Sequence, residues 1–212
     1  MSVRRIYVEK KEPYAVAAKE LLADLRENLG IKRLKGLRIV NRYDIFGISD
    51  DVYMAARDTI FSEPTVDWAY DENISLDDCD KVFAVEYLPG QFDQRADSAA
   101  QCLQILSQKE RPEVRTAKLF ILQGEISEEE FIKIKQYCIN PLECRETGFE
   151  KPEELGMPYE EPEETAVVEG FIEMGRQELA GLMDRMAFAM SLEDLEFCRD
   201  YFRDTEKRNP TV

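Results

Sequence analysis

Histidine is absent from all 212 residues. Its absence removes Ser-His-Asp and Cys-His nucleophile systems, imidazole acid/base catalysis, and the common His-containing zinc and non-haem iron sites. Bases are scarce as well: 28 Lys and Arg stand against 44 Asp and Glu, for a net charge of −16. Phosphate backbones and anionic lipid surfaces need concentrated positive charge, so neither a nucleic acid nor a membrane is expected as a partner. Apolar runs are only a few residues long, too short to cross a bilayer. Met1-Ser2-Val3-Arg4-Arg5 leads straight into a strand-like pattern, without the apolar core of a signal peptide. The five cysteines (Cys79, Cys102, Cys138, Cys144 and Cys198) include no C-x-x-C pair, and their number is odd. They read as reduced thiols of a cytoplasmic protein. Neither G-x-G-x-x-G nor G-x-x-x-x-G-K-[ST] occurs, so no nucleotide-phosphate loop is visible.

What is present is a repeat. Ile6-Tyr7-Val8-Glu9 recurs as Phe83-Ala84-Val85-Glu86, an offset of 77 positions. Gly47 recurs as Gly124 and Pro64 as Pro141 at the same offset, and Ile48-Ser49-Asp50-Asp51 as Ile126-Ser127-Glu128-Glu129 at 78. Four anchors in one order imply an internal duplication of residues 1–148, with copies at about 1–76 and 77–148.

Each copy reads as β-α-β-α-β, an α+β fold with helices packed on small, mainly antiparallel sheets. In the first copy, Val3–Glu9 alternates as a strand and Tyr14–Leu29 carries a helical apolar stripe ended by Gly30. Leu37–Phe46 is β-rich, Ser49 caps a helix running to about Phe61, and Val66–Tyr70 closes the unit. In the second copy the strands are Lys81–Tyr87, Thr116–Gln123 and Leu142–Thr147. Its helices are Phe92–Leu106, with Phe92 on the apolar side, and Ser127 to about Ile139, with Ser127 and Glu130 as a capping box. A lone unit leaves one sheet face bare, so the two copies are expected to cover each other face to face.

Beyond residue 142 the composition changes. Glu143 to Glu164 holds nine Glu and three Pro, so its later part reads as an exposed, extended connector. Residues 149–212 are then expected to form this connector and a mostly helical linker domain. Its helices are expected at Val167–Ala189 and, capped by Ser191, at Leu192–Phe202. Met174, Leu179, Leu182, Met186 and Phe197 are expected to be partly exposed. The stop at Asn209-Pro210-Thr211-Val212 suggests a fragment of a longer protein.

Two segments stand out as candidate sites. Leu88-Pro89-Gly90-Gln91-Phe92-Asp93-Gln94-Arg95 joins a strand to a helix and gathers Gln91, Asp93, Gln94, Arg95, Asp97 and Ser98 about a helix N-terminus, which can bind an anion or simply cap itself. Lys32 to Arg42 has five bases and no acid, a local positive patch or the solvated side of a strand paired with carboxylates. The Glu-rich stretch lacks the converging oxygens a Mg²⁺ site needs. Trp68, Cys102 and Cys138 read as packing residues.

In its order of motifs the chain resembles the small PurS-type subunit of phosphoribosylformylglycinamidine synthase. The likeness runs through Val3–Glu9, Asn28-Leu29-Gly30, the long strand after Leu37, the acid-capped helix from Ser49, Pro64-Thr65-Val66-Asp67, and Ile139-Asn140-Pro141-Leu142. In single-chain members of that family, two such units fused in tandem precede a helical linker and the catalytic domain. Residues 1–148 resemble the fused pair and residues 149–207 the linker. Arg208-Asn209-Pro210-Thr211 is similar to the Arg-x-Pro-Thr lead-in to the catalytic domain. Leu88 to Ser98 resembles the family's Pro-Gly turn, with different residues after the glycine.

The family is an ATP-dependent ligase and glutamine amidotransferase of purine biosynthesis that makes FGAM from FGAR, ATP and glutamine. The resemblance implies that the chain is its N-terminal scaffold, with no catalytic residue, metal or cofactor of its own. ATP and Mg²⁺ belong to the parent enzyme, whose catalytic and glutaminase domains are the implied partners. Gly90, Gln91, Asp93, Gln94, Arg95, Asp97, Ser98, Arg38 and Arg42 are then the residues expected to face the substrate cleft or a domain interface. The alternative from a different class is a metabolite-binding regulatory module built on a duplicated α+β unit.

Overall fold

The computed structural model describes residues 2–77, 81–156 and 164–212. The chain forms two compact units, residues 1–157 and 158–212.

In the first unit the strands are β1 (Arg4–Lys10), β2 (Leu34–Phe46), β3 (Asp67–Asp71), β4 (Lys81–Tyr87), β5 (Glu113–Gly124) and β6 (Cys144–Thr147). The helices are α1 (Val16–Glu27), α2 (Asp50–Ala56), α3 (Gln94–Ser107) and α4 (Glu128–Cys138). The strands form one antiparallel six-stranded sheet in the order β3-β1-β2-β5-β4-β6. The element order of the first half recurs in the second. Strand β4 begins 77 positions after β1, and each later element begins within two residues of that offset. The central strands run antiparallel with Asn41 opposite Lys118, themselves 77 positions apart. That pair therefore lies on the axis relating the halves.

The halves meet edge to edge through β2 and β5, not face to face. The long β-rich runs explain this correction: 12 paired positions between β2 and β5 satisfy backbone groups that two separate small sheets would leave as edges. Strand alternation sorts the side chains. Ile6, Val8, Tyr43 and Ile45 pack with Tyr53 and Ala56 of α2 and Ala99 and Leu103 of α3. Leu37, Phe83, Val85, Phe120 and Leu122 pack with Leu25 of α1 and Ile134 of α4. Each core thus draws helices from both halves.

The alternate residues Tyr7, Val40, Ala84, Leu119 and Ile121 form a buried cluster on the other face of the sheet. Residues 148–150 cross that face. Arg5 Nη1 donates to Phe149 O at 2.5 Å, Arg5 Nη2 to Glu150 O at 3.2 Å, and Arg42 Nη1 to Gly148 O at 2.7 Å. Leu155 is buried as well. These ties carry the first unit past residue 148. Residues 157–163, the later part of the expected connector, lie outside the described residues.

Several local expectations need revision. Helix α3 starts at Gln94 with Asp93 as its cap, which leaves Phe92 outside the helix and 69% exposed. Ser49 precedes α2 in extended backbone but makes no capping hydrogen bond, whereas Ser127 and Glu130 form the full box of α4. Trp68 is exposed on the edge strand β3, with Lys11 Nζ 4.5 Å from its ring centre. Cys102 faces solvent.

In the second unit, the expected helix Val167–Ala189 is shortened to α5 (Arg176–Met186), preceded by a single helical turn at Phe171–Glu173. Gly170 takes a positive φ of 72° that ends any helix there, and Gly175 is the N-cap of α5. Helix α6 (Leu192–Tyr201) is boxed by Ser191 and Asp194. Phe171, Leu179, Leu182 and Leu195 form the core, so Leu179 and Leu182 are not exposed, whereas Met186 and Phe197 are.

Candidate functional site

The cleft lies on the helix-covered face of the first unit, where the two halves join, and measures about 520 Å³. Its floor is the axial pair Asn41 and Lys118 with their neighbours Tyr43 and Thr116. Helix α3 supplies Gln94, Arg95, Ser98 and Cys102, and Cys138 and Cys144 close the far side. The strand period explains the floor: positions 41 and 43 of β2 point one way, and 38, 40, 42 and 44 the other.

Asp93 anchors the start of α3. Its carboxylate accepts from Ala96 N at 2.9 Å and from Thr116 Oγ1 at 2.7 Å, tying the helix end to β5. This cap uses the α3 N-terminus internally. Arg95 Nη1 donates to Tyr43 Oη at 3.0 Å and holds its cation at the rim. Lys118 is exposed and close enough to Cys138 and Cys144 for its charge to favour their thiolates. Burial wins nevertheless: it pushes the Cys138 thiol up to about 11, with the Asp24 carboxylate adding to the rise. Cys144 is raised for the same leading reason. Both remain protonated thiols at neutral pH, so this side of the cleft offers thiol donors beside the Lys118 cation.

The candidate residues divide among different places. Gln94, Arg95 and Ser98 line this cleft. Gln91, Asp93 and Asp97 line a second cleft of about 400 Å³ on the other side of the α3 start, where Asp97 pairs with Arg111 and Gln91 Nε2 reaches Leu142 O at 3.4 Å. Gly90, at a φ of 88°, turns the chain between strand and helix with open space around it.

Arg38 and Arg42 belong to the opposite sheet face and are held by internal acceptors, whereas Lys32, Arg33 and Lys35 of the same basic stretch are exposed. Arg38 grips Glu9 with Nε at 2.8 Å and Nη2 at 2.7 Å, and Nη1 reaches Ser75 O at 3.4 Å. Arg42 is 5% exposed, with Nε 3.3 Å from Asp44 Oδ2 but not aligned for a hydrogen bond. Burial lowers the Arg42 pKa, partly offset by the Asp44 charge. For Arg5, burial pulls the same way, but the Asp44 hydrogen bonds at 2.5 and 2.9 Å outweigh it and leave it raised.

In the second unit, Arg208 stacks over Phe202 at 5.5 Å, Pro210 O accepts from Val168 N at 2.9 Å, and Thr211 bridges to Val167.

Sequence reasoning missed Asn41, Thr116 and Lys118 of the floor. Their signal was the strand period of β2 and β5 combined with the repeat offset. It also missed Arg5, Asp44 and Arg115, which read as ordinary strand charges. Among the described residues, no group of three or more Cys, Asp or Glu is placed to hold a metal ion, and no helix is long and apolar enough to cross a membrane. No protein-family model matches the chain, and no curated protein matches its sequence.

Proposed function

We propose that this chain is a non-catalytic scaffold, a tandem pair of PurS-like units followed by a helical linker, that serves a phosphoribosylformylglycinamidine synthase. In this role it docks against the catalytic and glutaminase domains, helps close the substrate cleft, and shields ammonia in transit. The observation that carries the reading is the two-fold plan: element starts that recur at 77 positions, with Asn41 and Lys118 paired on the axis. A fused pair of equivalent units gives a single rigid body with two related docking faces, which suits positioning better than turnover. The chemistry agrees with that division of labour. Burial holds the Cys138 thiol protonated, and Arg38 and Arg42 are tied to internal acceptors. Water exclusion during transfer of a reactive intermediate is a service such a body can provide without reacting.

The test uses the synthase lacking residues equivalent to 1–148, with this chain added back. Restored glutamine-dependent turnover, together with co-elution with the truncated enzyme, is expected. Unchanged glutamine-dependent activity in the truncated enzyme, or no restoration and no complex, sinks the reading.

A further inference from the structure

The two halves of the sheet handle one arginine differently. On the face away from the helices, Arg38 of β2 and Arg115 of β5 are equivalents 77 positions apart, as are Glu9 and Glu86. In the first half, Arg38 and Glu9 form a two-pronged ion pair beside a cleft of about 600 Å³. In the second half Glu86 has another partner. Arg145 of β6, directly across from it, binds Glu86 with Nε at 2.8 Å and Nη2 at 2.7 Å. The position equivalent to Arg145 is Trp68, across from Glu9, which cannot form that pair.

Arg115 is left over. Its cross-strand neighbour Asp44 is taken by Arg5 and Arg42. Arg115 Nη2 is buried without a hydrogen-bond partner. A buried guanidinium donor with no acceptor is costly, so something must offset it. The backbone also differs there. The β1–β2 ladder runs to Glu9 opposite Val40, whereas the β4–β5 ladder stops one rung earlier at Val85 opposite Lys118. The strands part beyond that rung, at Glu86 and Ala117, and Glu86 and Thr116 line the cleft of about 400 Å³ that holds Arg115.

We infer that this second cleft is a binding site for a small carboxylate with an apolar body, held by Arg115. The first half supplies the chemical precedent, since the acceptor that satisfies Arg38 is a carboxylate. Most other charges at the cleft are already matched: Glu86 with Arg145, Asp97 with Arg111, and Asp93 with Thr116 and the α3 cap, while Glu113, exposed at the rim, adds one further acid. Arg115 is the one cation lining it that lacks a counter-ion among the described residues. Phe92, Ala100, Val114 and Leu155 form an apolar wall for the rest of the ligand. The acids at the rim oppose a multiply charged phosphate and leave a single carboxylate as the better match. Turning the Arg115 end group toward the cleft presents the unpaired donor to that carboxylate. This site does not depend on the scaffold reading.

The test titrates the full, ¹⁵N-labelled chain with 4-methylpentanoate, its neutral amide, and inorganic phosphate, following the backbone amides of Val114, Arg115 and Thr116. Saturable shifts with the carboxylate, none with the amide, and weaker effects from phosphate are expected. Arg115→Ala should weaken binding roughly tenfold or more, the scale of one charge-assisted contact. Arg145→Ala should also weaken binding, because Glu86 is then free to take Arg115. Adding Glu86→Gln to Arg145→Ala should restore it, an outcome that simple loss of positive charge does not give. No saturable shift, equal response to the amide, tighter binding of phosphate, an unaffected Arg115→Ala, or no rescue in the double variant would each overturn the assignment.

Discussion

Arg5 and Asp44 show how much one buried carboxylate can hold. Asp44 is 3% exposed and serves Arg5 directly and Arg42 at 3.3 Å. Replacing it by Asn keeps the shape and removes the only carboxylate, among the described residues, paired with either of two buried cations. Breaking such a pair costs about 3–5 kcal/mol, to be read as a lower urea midpoint at unchanged slope. The exposed pair of Arg4 and Asp50 is the control, and Asp50→Asn should cost less than about 1 kcal/mol. Equal effects would show that burial is not what gives the Arg5 pair its weight. Cys138 carries a pH signature. Its thiol is raised to about 11 by burial, above its ordinary value of 9.0. The native state therefore keeps a proton that the unfolded chain releases first. Stability from this group is complete below about pH 9 and is lost as pH rises toward 11. A pH series of thermal midpoints should fall across that window, and Cys138→Val should flatten the fall. An identical decline in the variant would remove Cys138 as its source.

At the scale of elements, two serines in matching positions separate motif from bond. Ser127 accepts from Glu130 N at 3.1 Å while Glu130 returns a bond to Ser127 N at 2.8 Å. Ser49 precedes α2 without any such bond. Ser127→Ala should therefore cost about 1 kcal/mol and Ser49→Ala much less. Similar losses would mean that residue preference, not the hydrogen bond, sets the cost. The box around Ser127 was legible because both its residues lie within one turn. So was strand Lys81–Tyr87, whose bounds match its alternation. The start of α3 was less legible. Phe92 continues the apolar stripe in spacing, but Asp93 accepts from Ala96 N and fixes the helix start at Gln94, two residues later than the stripe suggests. In the candidate site, Gln94, Arg95 and Ser98 could be read from one local segment. Their floor could not, because Asn41 and Lys118 meet only through the β2–β5 register, a pairing between distant strands. The partners of Arg38 and Arg42 were hidden for a related reason. The charge of the two arginines is visible in sequence, whereas the acceptors that absorb it lie 29 and 106 positions away.

At the scale of the molecule, the first unit solves the problem of a one-sided sheet in two ways. Helices from both halves cover one face, and the chain leaving β6 crosses the other. Edge-to-edge joining puts β2 and β5 at the centre, so their amides should exchange most slowly, with β3 and β6 fastest among the strands. The crossing segment makes a sharper demand. Gly148, Phe149 and Glu150 give backbone carbonyls to Arg5 and Arg42, and Leu155 is 3% exposed. A chain ending after residue 156 keeps all of these contacts, while one ending after Thr147 keeps every strand and loses them all. If the carbonyls are needed to bury the two guanidinium groups, the shorter chain should be less stable by more than about 2 kcal/mol, with the deficit largest at low salt because unsatisfied like charges then repel most strongly. Replacing both Arg5 and Arg42 by Met, with Asp44 as Asn, should shrink the difference between the two lengths, since the carbonyls then have no cation to serve. Equal urea midpoints for the two original chains would show instead that the sheet holds its arginines through Asp44 alone, and that residues 148–156 ride on a face already complete without them.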